Sequence, residues 1–180
     1  MGAITGMQLA YTRPDRVRRA VQLSVPPGFI SFSPRLIPAF RHMPKLIWHR
    51  PGSSLRGVWS DEYCAKVTPQ ATINAHLAPM QRRDIDQAVR PLYRGMVIPE
   101  SMRLSRGVYK QMRLTIPTLF AFGRSDTRFD EPLVRRLCAS PERFADHVEF
   151  AFVDDAGKLL PDDAPDAVAD LTVDWIRRTD

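Results

Sequence analysis

Thr118-Leu119-Phe120-Ala121-Phe122-Gly123-Arg124-Ser125-Asp126 is the stretch whose reading decides the fold of this 180-residue chain. Thr118 to Phe122 is a short apolar run closed by Gly123, the pattern of a strand that stops at a turn. Pro132 to Ala139 follows as a helix, with Glu131 and Pro132 as starting signals. Val148 to Val153 reads as a second strand. Asp162 to Arg178 reads as one long amphipathic helix, with Ala164, Val168, Leu171 and Trp175 as its apolar stripe. Its acids lie near the N-terminal end and Arg177-Arg178 at the other, as the helix dipole favours.

Upstream, Ile4, Met7, Ala10 and Tyr11 are spaced for one face of a helix that Arg13-Pro14 ends. Val17 to Val25 is a short apolar run closed by Pro26-Pro27-Gly28, which predicts a buried parallel strand. From Gly28 to about Arg113 the character changes. Prolines punctuate helical patches around Ile37 to Trp48, Thr68 to Leu77 and Met80 to Met96, which predicts an irregular helical insertion. Strand-helix alternation around such an insertion predicts an α/β domain, with residues 1–27 and 114–180 as core and 28–113 as a helical lid.

Composition bounds the function classes. Hydrophobic content of 44% and charge of 26% are ordinary for a globular domain. No apolar run approaches the ~20 residues needed to cross a bilayer, and no signal-peptide pattern is visible. Cys64 and Cys138 lie far apart with no metal-ligand spacing, which fits reduced thiols in a cytoplasmic setting and no metal or cofactor site. The net charge of +6 comes mostly from arginine, scattered along the chain and opposed by a C-terminal region rich in aspartate, so nucleic acid is not expected as a partner.

Three stretches together resemble the α/β-hydrolase fold, in its epoxide hydrolase and haloalkane dehalogenase branch. Arg13-Pro14-Asp15-Arg16-Val17-Arg18-Arg19 with Leu23-Ser24-Val25-Pro26 is similar to the family's third helix end and sixth strand. Ile116-Pro117-Thr118-Leu119 with Phe122 to Asp126 is similar to the seventh strand and acid loop. Val153-Asp154-Asp155-Ala156-Gly157-Lys158, Pro161 and Asp163 to Val168 are similar to the histidine loop and last helix. The resemblance implies a partial α/β-hydrolase fold, parallel strands with flanking helices and a helical lid insertion. It also implies a chemistry in which an aspartate opens an epoxide to a covalent ester, lid tyrosines protonate the oxygen, and an acid-oriented histidine activates water.

The departures from that pattern shape the expectation. Met1-Gly2-Ala3 matches the part of the nucleophile turn just after the nucleophile, so the nucleophile position precedes Met1 and the backbone of Met1 stands at an oxyanion position. Lys158 stands where the family has its catalytic histidine. Lysine is normally protonated, with a pKa near ~10.4, and acts either as a base freed by desolvation or as a structural ammonium pairing with Asp126 or Asp155. An ion pair between Asp126 and Lys158 is expected. Asp126 is either the acid of the family pattern or a turn carboxylate ahead of Glu131-Pro132. Tyr93 is either a lid tyrosine that protonates substrate or a packing residue with its hydroxyl at the rim.

His42, His49, His76 and His147 read as surface or lid histidines, His147 at the end of the sheet away from the active loops. Ser24, Ser125 and Cys138 lack the glycines of a nucleophile turn. The expected function is that of an epoxide hydrolase-type fragment, inactive as it stands, whose substrate in a full-length form is a small apolar molecule. The alternative is a non-catalytic module that meets a protein partner, or itself, through an exposed sheet edge.

Overall fold

The computed structural model describes residues 2–30, 33–41, 43–58 and 63–180. The apolar face read near the N-terminus is a helix, α1 (Gly2–Thr12), which buries Met7, Ala10 and Tyr11. The first strand, β1 (Ala20–Leu23), is shorter than the nine-residue apolar run suggested. It ends because Ser24 turns into the left-handed region at φ 55°.

Between β1 and β2 the chain is helical and broken, as its prolines dictate: a 3₁₀ segment (Pro34–Phe40), α2 (Met43–Ile47), α3 (Gln70–Leu77), α4 (Arg83–Leu92) and α5 (Ile98–Ser105). The third helical patch runs further than its sequence pattern. The backbone widens into a π turn over Tyr93–Val97 and continues as α5 through Pro99. A widened turn accommodates residues that the regular ladder excludes.

The sheet then resumes with β2 (Thr118–Gly123), α6 (Glu131–Leu137), β3 (Val148–Val153), the short α7 (Leu160–Asp163) and α8 (Pro165–Arg178). Asp130 caps α6, its carboxylate accepting from the Leu133 N–H at 2.8 Å. The single helix expected over Asp162–Arg178 is two helices. Proline disfavours helical geometry at the residue before it, and Ala164, before Pro165, lies at φ −145° and ψ 62°.

The three strands are parallel in the order β1-β2-β3, with Leu23 beside Ala121, and Ala121 beside Ala151. β2 is buried along its whole length, as a central parallel strand must be. Phe122 packs between Phe152 and Phe129, with ring centroids 6.0 and 6.2 Å away, and Phe120 lies 5.8 Å from Phe150. Full burial of each such ring contributes roughly 1.5–3 kcal/mol. On the side of α8, Ala121, Val153, Ala156 and Leu160 form a smaller apolar cluster against Ala167, Val168 and Leu171. Among the described residues no helix is long and apolar enough to cross a membrane.

Parallel strands deliver all their C-terminal ends to one side, where loops converge on a common site. Ser24 follows β1, Arg124 to Asp126 follow β2, and Asp154 to Lys158 follow β3. The last two loops are in direct contact: the Arg124 N–H donates to Val153 O at 2.9 Å and the Ser125 N–H to Ala156 O at 3.0 Å. Gly123 makes that approach possible. A Cβ there would lie 2.5 Å from the Ala156 carbonyl carbon and closer still to the Ala156 and Gly157 carbonyl oxygens. Those are backbone atoms with nowhere to move, so Gly123→Ala is expected to destabilise the chain by about 3 kcal/mol or more, read as a loss of urea midpoint. An unchanged midpoint would show that the two loops are not packed this closely.

Candidate functional site

Asp126 lies just beyond β2 and is 2% exposed. Its Oδ1 accepts the backbone N–H groups of Arg128 at 2.9 Å and Phe129 at 3.3 Å, which fixes the carboxylate over its own loop. Its Oδ2 is buried with no hydrogen-bond partner. Acceptance of the i+2 and i+3 amides is the bonding of an Asx turn, and the open Oδ2 is capacity that the turn leaves unused.

Lys158 comes up beside it from the loop after β3, but the expected contact ion pair does not form. The ammonium donates to the backbone carbonyl of Ser24 at 3.0 Å and sits 4.8 Å from the centroid of the Phe129 ring. Among the described residues it makes no ion pair with Asp126 or Asp155. The reason lies in the strand ends: the left-handed turn at Ser24 and the Phe129 ring offer the long side chain a nearer acceptor and a nearer π face than the carboxylate, which is turned toward its own loop amides. Burial lowers the Lys158 pKa, the charge of Asp126 raises it, and the neighbouring Arg128 lowers it further, with burial dominant.

Both loops border a cavity of about 230 Å³ enclosed by Ile30, Leu36, Leu104 and Phe129, with Ser24, Lys158, Tyr93 and Glu100 as its polar lining. The wall is mainly apolar. Tyr93 is thus brought to the same cavity as Lys158, and burial, with Tyr63 nearby, raises its phenol pKa. Tyr63, which its sequence context gave no reason to single out, is thus an electrostatic neighbour of Tyr93. Glu100 is 3% exposed and was not foreseen either. It accepts from Gln8 Nε2 at 2.5 Å and from the Tyr109 hydroxyl, and Arg103 Nε lies 3.8 Å away. Burial and then Glu100 raise the Tyr109 pKa.

Asp163 holds the Lys158 loop to the insertion. Its Oδ2 accepts the N–H groups of Gly157 at 2.7 Å and Ala65 at 2.8 Å, and the Lys158 N–H donates to Tyr63 O at 2.8 Å. Arg128 stacks over the Tyr63 ring at 4.1 Å.

The remaining candidates lie elsewhere or outside. Met1 and His42 are outside the described residues. His49, read as a surface or lid histidine, is buried and bonded to Asp86 Oδ1 at 2.5 Å; the pair joins the end of α2 to α4, and its bond, with that of the Gly52 N–H, lowers the Asp86 pKa. His76 meets Asp162 at 2.9 Å on the surface. His147 packs edge-on against Trp175 at the start of β3, at the end of the sheet opposite Asp126. Burial pushes the Cys138 thiol up to about 12, which makes it inert.

Structural comparison places this geometry in a class. The fold is that of the α/β-hydrolases. The chain superposes on the epoxide hydrolase CorEH with a TM-score of 0.73 and 18% identity, covering 99% of this chain and 66% of that one. It superposes on an epoxide hydrolase from Solanum tuberosum with a TM-score of 0.64 and 15% identity, over 98% and 67% of the two chains. A haloalkane dehalogenase variant from Bradyrhizobium elkanii gives 0.65 and 15%, over 99% and 65%, and Cfl2 from Burkholderia cenocepacia gives 0.70 and 17%, over 97% and 62%. The chain thus spans about two thirds of the length of these structures. No family model matches the sequence, and no curated protein matches it.

Two outcomes follow from this geometry. Removing the Asp163 carboxylate strands the N–H groups of Gly157 and Ala65, so Asp163→Ala is expected to cost on the order of 2–4 kcal/mol in chemical denaturation; a loss near zero would mean that the two amides find other acceptors. Because folding lowers the Lys158 pKa, the unfolded chain binds more protons between that lowered value and the ordinary 10.5, and stability gains with rising pH across that window. The stability of the native chain relative to Lys158→Met should therefore rise with pH there, measured by urea titration at a series of pH values. A relative stability that falls would reverse the assignment.

Proposed function

We propose that this chain is the acid-loop and lid part of an epoxide hydrolase-type α/β-hydrolase, and that these 180 residues bind a small apolar molecule without hydrolysing it. The fold of the neighbours supports the class. The observation that carries the reading is the placement of Lys158. At the position where the resemblance implies a histidine stands an amine held on the Ser24 carbonyl, out of contact with Asp126.

In the two-step chemistry the family resemblance implies, a base must accept a proton from water while the acid holds that base by its other nitrogen. Lys158 spends its hydrogen bond on the Ser24 carbonyl instead of on Asp126, so the acid does not hold it as it would hold the base of that pattern. Asp126, in this reading, keeps the acid's position with its Oδ2 unspent. Tyr93 reaches the cavity as the lid tyrosine of the pattern, but no described side chain sits opposite it in a nucleophile turn. Ser24 has no base on its hydroxyl, and Ser125 faces the loop after β3 through its backbone. What remains is recognition: a mainly apolar enclosure of about 230 Å³. It lies below the ~300–1,000 Å³ of sites that take drug-sized ligands, which selects a compact molecule of few heavy atoms.

The test separates binding from turnover. The 180-residue chain is incubated with styrene oxide, p-nitrophenyl acetate and 1-chlorohexane, and binding of 1-hexanol is followed by calorimetry. Rates equal to buffer are expected, together with saturable hexanol binding that Ser101→Phe, which fills the cavity from α5, weakens by about tenfold, or ~1.4 kcal/mol. Multiple turnover of any of the three compounds would refute the non-hydrolytic reading, and no hexanol binding would refute the cavity's role.

A further inference from the structure

We propose that Lys158 is a carbonyl-reactive amine: it takes a small apolar aldehyde or ketone from the cavity and condenses with it to a reversible imine, the Ser24 hydroxyl holding the carbonyl oxygen. The proposal rests on the reading that the cavity admits small apolar molecules, and it adds a covalent chemistry that the hydrolase pattern does not contain.

Three observations on the site converge. First, the only lysine on this cavity wall lies among apolar groups and, among the described residues, is tethered by a single acceptor, the Ser24 carbonyl at 3.0 Å. A neutral amine keeps one N–H on that carbonyl and has its lone pair left for an electrophile. The three other lysines, Lys45, Lys66 and Lys110, are exposed. Second, Ser24 lines the same cavity and is 5% exposed, and its buried hydroxyl makes no hydrogen bond among the described residues. A buried hydroxyl without a partner is a donor waiting for an acceptor from a ligand. It belongs to the residue that holds the amine, so nitrogen and donor are positioned by one left-handed turn.

Third, the charges around the site favour a neutral guest. Glu100 lines the cavity with Arg103 Nε 3.8 Å from it, and Asp126 and Arg128 act on Lys158 in opposite senses, so the fixed charges offset one another and give a charged guest no net attraction. An apolar carbonyl compound carries no charge and brings the acceptor that Ser24 lacks. Burial lowers the Lys158 pKa, which enlarges the fraction of free amine relative to an exposed lysine.

The step balances without an added oxidant or reductant. The nitrogen lone pair adds to the carbonyl carbon, and the carbon–oxygen π pair moves to the oxygen, which takes a proton while the nitrogen loses one. The resulting carbinolamine loses its hydroxyl, which takes up a proton and leaves as water, while the nitrogen lone pair forms the C=N bond and the last N–H proton is released to replace the one consumed. The sum is amine plus carbonyl compound to imine plus one water, and it runs backwards when water returns.

The test uses the full chain with hexanal and sodium cyanoborohydride near neutral pH, intact mass, and peptide mapping of all four lysines and the N-terminus. Lys158 is expected to be alkylated several-fold faster than Lys45, Lys66 and Lys110, excess 1-hexanol to protect Lys158 alone, and Lys158→Arg to remove the selective label. Ser24→Ala should slow labelling at Lys158 by a larger factor than it weakens hexanol binding, which a merely structural serine would not do. Hexanol binding without preferential labelling of Lys158 would overturn the imine proposal and leave the cavity reading standing. Absence of both would overturn both. Selective labelling that hexanol does not compete would overturn it as well, by placing the reaction outside the cavity.

Discussion

The structure depends on one close approach: the backbone after β3 lies on the end of β2 at a residue with no side chain. At Gly123 the Ala156 and Gly157 carbonyls occupy the space a Cβ would need. With that space free, the Arg124 and Ser125 N–H groups reach Val153 and Ala156 at 2.9 and 3.0 Å, and two loops from neighbouring parallel strands become one surface. Asp126 and Lys158 are adjacent because their loops are fused there, and the fused surface closes the floor of the cavity. The positions of Ser24, Asp126 and Lys158 follow from this contact and from the parallel register of β1, β2 and β3.

Two buried carboxylates then fasten the helical insertion over that floor, each by a different logic. Asp163 accepts backbone amides from both sides, Gly157 below and Ala65 above, so the loop that carries Lys158 and the insertion share one acceptor. Glu100 receives Gln8 of α1 and the Tyr109 hydroxyl, which sets the register of α5 on the first helix. A carboxylate satisfied by several donors repays its desolvation, whereas the same group with one donor removed does not. These ties are directional, and the apolar contacts around them are not. They select one seating of the insertion among the many that hydrophobic burial alone permits.

The sequence was informative where local rules and burial agree. β2 was legible from an apolar run closed by Gly123, β3 from an apolar run broken only at Glu149, and α6 from its start at Glu131-Pro132, because each signal is contained in a few consecutive residues. The break between α7 and α8 was legible in principle from Pro165, yet the apolar stripe on either side of Ala164 masked it, since a helical period survives a one-residue interruption. The placement of Asp126 and Lys158 near one another followed from their loop positions, but not the absence of a contact between them. That absence depends on a backbone carbonyl at a left-handed Ser24 and on the Phe129 ring, neither of which a charge pattern encodes. Glu100, Asp163 and the Ser24 hydroxyl carried no local signal, because the hydrogen-bond donors to the two carboxylates lie between 6 and 98 residues away in the chain and Ser24 Oγ has no partner among the described residues.

The cavity therefore presents a pairing that neither of its residues would impose alone. Asp126 favours a charged Lys158, and so does the Phe129 ring; the apolar wall opposes it, and the wall prevails. Had the ammonium met Asp126 Oδ2 directly, the ion pair would have satisfied both groups and left a stable but unreactive floor. The Ser24 carbonyl intervenes instead, so the carboxylate keeps an open oxygen, the amine keeps a lowered affinity for its proton, and the serine hydroxyl beside them keeps its donor. Two groups with unspent capacity on one apolar enclosure, with the open oxygen of Asp126 behind them, are a costly arrangement, and a neutral guest that supplied an acceptor would lower that cost without changing the charges.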